Sequence, residues 1–223
     1  MKKILITGEN SYVGNSLEKW LSNYPDRYQV EKISLRRNNW KLKDFSAYDV
    51  IVHVAGIAHV SSDPRMKEKY YQVNRDLTIE VAKKAMDEGV KQFIFLSSII
   101  VYGNSAINKK IIKHDTLPKP SNFYGDSKLQ AEKALKRLET PDFKIAIVRS
   151  PMVYGKQCKG NYQKLAKVAR ILPFFPYINN ERSMIYVDNL SEFLRLLIEN
   201  QDRGIFYPQN KEYVNTSELV KLI

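Results

Sequence analysis

Lys3-Ile4-Leu5-Ile6-Thr7-Gly8-Glu9-Asn10-Ser11-Tyr12-Val13-Gly14 opens the chain and decides its architecture. Lys3–Ile6 reads as a first buried strand and Val13–Ser22 as a first helix, so the two glycines fall on the turn between them. A strand-to-helix turn without bulky side chains lets backbone N–H groups approach a pyrophosphate, whose charge the helix N-terminus favours. Gly8 permits the turn and Gly14 lets the helix pack closely on the strand. Ser11 stands where the three-glycine fingerprint has its middle glycine, and its small side chain still allows approach. Two glycines after a strand also suit an ordinary βα turn. The position of this turn, behind a buried strand at the N-terminus, is what predicts dinucleotide binding. The expected contacts are Gly8, Asn10, Ser11, Tyr12, Val13 and Gly14.

Working outward, short β-branched runs alternate with helical stretches, the pattern of an α/β doubly wound parallel sheet. Gln29–Leu35, Val50–Val54, Gln92–Ser97 and Lys144–Arg149 read as strands, and Val73–Glu88 and Gly125–Leu138 as helices. Between Ser34 and Asp49 there is little room for a full strand-helix pair, which predicts one abbreviated crossover. From Pro151 the alternation loosens and Pro173, Pro176 and Pro208 appear. Residues 1–150 are therefore expected to form the dinucleotide-binding domain and 151–223 a small C-terminal substrate-binding lobe. Ser217–Ile223 reads as a helix only just begun, and the sequence as a piece of a longer chain.

Of the 223 residues 43% are hydrophobic and 27% charged, an ordinary soluble composition. A single cysteine, Cys158, excludes an internal disulfide framework and a cysteine-based zinc cluster. The apolar run of the N-terminus breaks at Gly8, too early for a signal peptide, and no window approaches a membrane span. A soluble, cytoplasmic protein is expected. The formal net charge of +12 suggests an anionic partner: nucleic acid, a membrane surface or a phosphate-bearing ligand. The bases are dispersed through helical stretches such as Lys128–Arg137. Their densest cluster, Lys109, Lys110 and Lys113, lacks interleaved aromatics, so nucleic acid is disfavoured. His59 and His114 are isolated, and no metal site is argued.

The second strand lacks the terminal acid that would hydrogen-bond a ribose 2′-OH; Ser34, Arg36 and Arg37 stand there instead. A carboxylate would repel a 2′-phosphate and guanidinium groups can clamp one. The cofactor is expected to be NAD or NADP, with a lean to NADP. Both arginines serve equally well as plain surface charges.

Phe93–Ser98 reads as a strand ending in hydroxyls, and Tyr124 and Lys128 follow at the start of a helix. Their i, i+4 spacing places both on one helical face. A nearby ammonium, and the positive end of a bound nicotinamide, stabilise phenolate and draw the tyrosine pKa down from ~10. Tyr124 then exchanges a proton with a substrate hydroxyl that a serine holds. With 14 tyrosines in the chain the spacing alone is weak; combined with the serine-ended strand and the N-terminal turn it is strong. His53 reads as a packed core residue.

On these residues the chain resembles the extended short-chain dehydrogenases/reductases, described broadly as NAD-dependent epimerases and dehydratases with a Rossmann fold. Thr7–Gly14 matches the family's nucleotide turn, and His53-Val54-Ala55-Gly56 the strand end lining the cofactor. Val73-Asn74 matches the asparagine opening the next helix, though Asn is also a preferred N-cap. Ser97–Gly103 and Tyr124–Lys128 match the active-site strand and helix. Arg149–Gly155, with Pro151, resembles the segment passing the nicotinamide, and Arg182–Leu190 a late motif whose arginine meets a substrate pyrophosphate. The resemblance implies Ser98, Tyr124 and Lys128 as the catalytic triad. It implies Val54, Ala55, Gly56, Asn74, Ser97 and Pro151 as cofactor contacts, and Ser98, Asn161 and Arg182 as substrate contacts. The substrate it implies is a nucleotide sugar; it leaves a homodimer open. Ile99 and Ile100 occupy the positions where sugar dehydratases need an acid/base pair, so dehydration is excluded. A 4-epimerase is placed slightly ahead of a 4-ketoreductase. A non-catalytic nucleotide- or RNA-binding protein on this fold is disfavoured, because the chain keeps Tyr124 and Lys128.

Overall fold

Within each central strand, neighbouring residues face opposite layers, and both layers are apolar. In β1 (Lys2–Thr7) Leu5 enters one core while Ile4 and Ile6 enter the other. In β3 (Val50–His53) Ile51 parts in the same way from Val50 and Val52. In β4 (Gln92–Ser98) and β5 (Lys144–Ser150), Phe93, Phe95, Ile145 and Ile147 oppose Ile94, Ala146 and Val148. A parallel sheet buried on both faces demands this composition. The computed structural model describes residues 1–58, 63–103, 111–113, 115–158, 161–171, 175–177 and 180–222, and not the side chains of 161, 164 and 168. His59, Lys109, Lys110 and His114 lie outside the described residues.

The main sheet has six strands in the order β2-β1-β3-β4-β5-β8, all parallel, with β2 at Tyr28–Ile33 and β8 at Gly204–Phe206. Helix α1 (Tyr12–Leu21) and the later Val187–Asn200 helix cover one face; a chain of helices from Lys67 to Asp87 and the long Phe123–Leu138 helix cover the other. From β2 to β3 the chain passes only a 3₁₀ turn, Asn38–Leu42, so the crossover is abbreviated as expected. Trp40 from that turn and Phe45 plug the core where a full helix would otherwise stand.

In chain order the helices are α1, α2 (Lys67–Tyr71), α3 (Leu77–Asp87), α4 (Phe123–Leu138), α5 (Asn161–Ile171), α6 (Val187–Asn200) and α7 (Thr216–Lys221). The expected helix at Val73–Glu88 begins earlier. Asp63 accepts from Arg65 N–H at 3.1 Å before Pro64 opens a 3₁₀ turn, and α2 follows. A five-residue π turn, Gln72–Asp76, then joins α2 to α3. The expected division at residue 150 puts α6 and β8 in the second part of the chain, and both return to the main sheet. Apart from it stand the parallel pair β6 (Met152–Tyr154) and β7 (Met184–Tyr186), with α5 and α7 beside them. Among the described residues no helix is long and apolar enough to cross a membrane.

Candidate active site

The chain leaves β1 toward β2 on one side and returns to β3 on the other, so the crevice outside the C-terminal ends of β1 and β3 is a topological switch point. Gly8 sits there with φ 89°, and a Cβ on it would stand 3.1 Å from the Ala55 backbone beyond β3. Only glycine meets both demands. Ser11 is the N-cap of α1: its Oγ accepts from Gly14 N–H at 3.0 Å, and its carbonyl accepts from Asn15 N–H at 3.0 Å. Among the described residues this leaves the Tyr12 and Val13 N–H groups of the first turn for an external acceptor. Ser11 thus does more than leave room: it takes one of the turn's donors for itself. The Tyr12 hydroxyl is buried against Gly155 without a described partner, and burial raises it to about 12. Tyr12 and Val13 offer this crevice backbone. Asn10 is exposed beside it.

At the far edge β2 ends at Ile33, two residues sooner than expected. Ser34 Oγ accepts from Arg36 N–H at 3.5 Å, and the Arg36 and Arg37 side chains are exposed without a described ion pair.

The wall after β3 is held from behind. Asn74 is fully buried; its Oδ1 accepts from Ile57 N–H at 2.8 Å and its Nδ2 donates to Ile57 O at 3.0 Å and Ser127 Oγ at 3.3 Å. It therefore neither opens nor caps a helix. It lies within the π turn and clamps the segment after Val54, Ala55 and Gly56. A Cβ on Gly56 would come 3.0 Å from Asn74 Oδ1 and 3.2 Å from Lys128 Nζ. Beneath, Thr78 Oγ1 gives its one proton to Asn74 O at 3.0 Å. His53 Nε2 must then donate to Thr78 at 3.0 Å, and Nδ1 accepts from Thr7 at 2.9 Å. Burial drives His53 down to about 3, with Lys128 adding to the effect. It is a neutral core residue.

Asn122 caps α4 through Gly125 N–H at 2.9 Å and so fixes where Tyr124 and Lys128 begin. The Ser98 hydroxyl, at the end of β4, stands beside the Tyr124 phenol and accepts from Ile100 N–H at 3.3 Å. Lys128 is buried, its Nζ donating to Leu96 O at 3.0 Å and lying 4.5 Å from the Phe95 ring centroid. Burial lowers it to about 8, opposed by the Glu132 carboxylate. Without a nicotinamide the Lys128 ammonium does not by itself draw Tyr124 down. Burial, with Tyr70 packed at 5.6 Å between ring centroids, raises it to about 12, and the neighbouring Ser98 hydroxyl only moderates this. The Lys128 ammonium is aimed at Leu96 rather than at the phenol. Tyr124 is accordingly a proton donor at neutral pH in the protein alone.

Ser97, expected to line the cofactor, turns its hydroxyl to Glu132. Glu132 is also salt-bridged to buried Arg149 at 2.6 Å, and Arg149 Nη1 donates to Tyr102 Oη at 2.6 Å and Tyr207 Oη at 3.2 Å. Sequence reasoning passed over Glu132; its signal was the continuation of the four-residue spacing through Tyr124 and Lys128. Pro151, expected to contact the cofactor, is buried directly after β5. Asn161 opens α5, and its side chain is outside what is described. Arg182 is exposed, bonded through its backbone to Val214 at 3.0 and 2.9 Å, and lines a cavity of about 260 Å³ with Met152, Phe175, Met184 and Leu219.

A glycine turn after β1, and serine, tyrosine and lysine where β4 meets α4 on one parallel sheet, are the arrangement of a dinucleotide-dependent α/β enzyme. The chain belongs to the NAD dependent epimerase/dehydratase family, whose profile matches residues 4–207. It is 30% identical to a UDP-glucose 4-epimerase of Vibrio cholerae over 99% of this chain and 74% of that one. It is 24% identical to a GDP-6-deoxy-D-mannose reductase of Pseudomonas aeruginosa over 100% of this chain and 79% of that one. The solved structure of MoeE5 with UDP-glucose and NAD superimposes with a TM-score of 0.82 at 20% identity, covering 99% of this chain and 80% of the other; that likeness bears on the fold.

Proposed function

We propose that the protein moves hydrogen reversibly at C4 of a nucleotide sugar, as a UDP-sugar 4-epimerase of the cytoplasm with NAD or NADP bound. The observation that carries this is the Ser98 hydroxyl at the end of β4 beside Tyr124, with Lys128 four residues on along the same face of α4. The crevice fits a dinucleotide: Gly8 and Gly56 leave no room for a Cβ, and the first turn of α1 keeps donors for a pyrophosphate. The Tyr12 and Val13 N–H groups would hold the pyrophosphate on the turn that Gly8, Ser11 and Gly14 shape, with Val54, Ala55 and Gly56 along the base. A bound nicotinamide supplies the hydride acceptor and donor. The protein's own part is the proton. Ser98 Oγ orients the sugar O4, and Tyr124 Oη takes or returns the O4 proton as the carbon is oxidised or reduced. Lys128 supplies positive charge one turn away. Ile99 and Ile100, in a 3₁₀ turn directly after Ser98, hold no proton to transfer, so dehydration is not supported. Arg182 and Asn161 are proposed to meet the substrate diphosphate, Arg182 from the rim of the cavity beside Met152.

One observation favours a second reading, an NADPH-dependent 4-ketoreductase: Ser34, Arg36 and Arg37 present no carboxylate to a 2′-phosphate. Incubation with a panel of UDP- and dTDP-sugars, with and without NADPH, decides. C4 inversion without added reductant establishes the epimerase, and consumption of NADPH with a 4-keto sugar the reductase. No turnover of any of them refutes both.

A further inference from the structure

Three successive residues at the end of β4 meet three successive turns of α4. Ser98 stands beside Tyr124, the Leu96 carbonyl accepts from Lys128 Nζ at 3.0 Å, and Ser97 Oγ donates to Glu132 Oε1. Tyr124, Lys128 and Glu132 are spaced by four and share one helical face. The third tie is reinforced from the neighbouring strand. The β4–β5 register pairs Ser97 with Arg149, so both side chains leave the sheet on the same side. Arg149 Nη2 donates to Glu132 Oε2 at 2.6 Å, and Nε to both carboxylate oxygens at 3.2 Å. The pair is almost wholly buried, with side chains 5% and 2% exposed. Stability alone does not account for it, since a buried ion pair often holds a fold no better than apolar residues of the same volume.

We propose that Glu132, clamped by Arg149 and Ser97, is a positioning residue that holds α4 against the end of β4 and sets a carboxylate one helical turn from Lys128. This rests on the assignment of Ser98, Tyr124 and Lys128 as catalytic. Lys128 is faced by the Phe95 ring and Leu96 carbonyl from β4, neutral His53 from β3, Asn74 across Gly56 from the π turn, and Tyr124 and Glu132 from α4. Among the described residues Glu132 is the carboxylate acting on it, and that charge opposes the burial which pulls its proton off. Arg149 in turn keeps the Glu132 carboxylate oriented.

The test needs no substrate. Protein carrying [13Cε]lysine is titrated by NMR from about pH 6 to about pH 10, and the Lys128 signal is assigned by its loss in Lys128→Met. Glu132→Gln keeps the acceptor for Ser97 but removes the charge, and the Lys128 midpoint falls by about one pH unit. Glu132→Gln/Arg149→Gln leaves no unpaired buried charge, and its midpoint falls as well; it stands in should the single variant not fold. A folded variant of either kind whose Lys128 titrates with wild type overturns the proposal. Turnover is measured separately. A midpoint that moves in a protein inert toward every nucleotide sugar leaves the clamp standing and overturns the function.

Discussion

Lys128→Met tests the buried ammonium through stability. Lys128 falls from 10.5 to about 8 on folding, a difference of about 2.5 units. At 1.36 kcal/mol per unit this is roughly 3 kcal/mol of opposition to folding while both states carry the charge. The sign runs against the common lysine case. Below pH 8 the folded and unfolded chains are both protonated and the full penalty applies. As pH rises past 8 the folded protein sheds the proton while the unfolded chain holds it to about 10.5, so wild type grows more stable with pH. Methionine has no such dependence. It also forfeits the bond to Leu96 O, which costs about 1–3 kcal/mol at every pH and so drops out of a pH comparison. Integrated from pH 7 to pH 10, wild type should gain about 2–3 kcal/mol on Lys128→Met. Urea unfolding of both proteins across that window measures it. A stability difference that stays flat to within about 0.5 kcal/mol would falsify the burial of a charged lysine, because the integrated shift is several times larger.

Tyr124→Phe is expected to lower turnover by at least ~100-fold while cofactor titration shows affinity barely changed; retention of most activity would remove Tyr124 as the proton donor. Ser34→Asp should turn the cofactor preference toward NAD by placing a carboxylate beside any 2′-phosphate, and wild type should take NADP(H) at least as well as NAD(H), less so as salt rises. Titration of both cofactors against both proteins checks this, and a wild type that binds NAD far more tightly and ignores the substitution makes Arg36 and Arg37 plain surface residues. Gly8→Ala combines φ 89° with a 3.1 Å approach to Ala55. It should destabilise the protein by about 1–3 kcal/mol and weaken both cofactors; unchanged melting and binding would show that the turn relaxes freely.

Much of the sheet was legible because parallel strands buried on both faces have continuous apolar runs, as at Val50–Val52 and Ile145–Val148. The short crossover was legible as plain lack of residues between Ser34 and Asp49. Tyr124 and Lys128 were legible because helical spacing is a property of sequence. The protonation of Tyr124 was not: it depends on Tyr70 and on the direction of the lysine, neither of which spacing records. Glu132 was missed because its meaning depends on the strand register that sets Arg149 beside Ser97. Asn74 reads in the sequence as the start of a helix because no local residue announces the turn that carries it, and its partners at Ile57 and Ser127 are 17 and 53 residues away.

The π turn at Gln72–Asp76 is in effect a helix with one residue too many. Deleting one residue there would let α2 and α3 run on as a single regular helix with better backbone hydrogen bonds. The residues before the deletion would also rotate by about 100° relative to those after it, one helical step. Asn74 and Thr78 could then no longer serve Ile57 and His53 from the same side. The shortened protein would be locally more regular and would lose its grip on the segment after β3. A length change of one residue, silent in any count of charge or hydrophobicity, would therefore separate the folding of this helix from the shape of the crevice it braces.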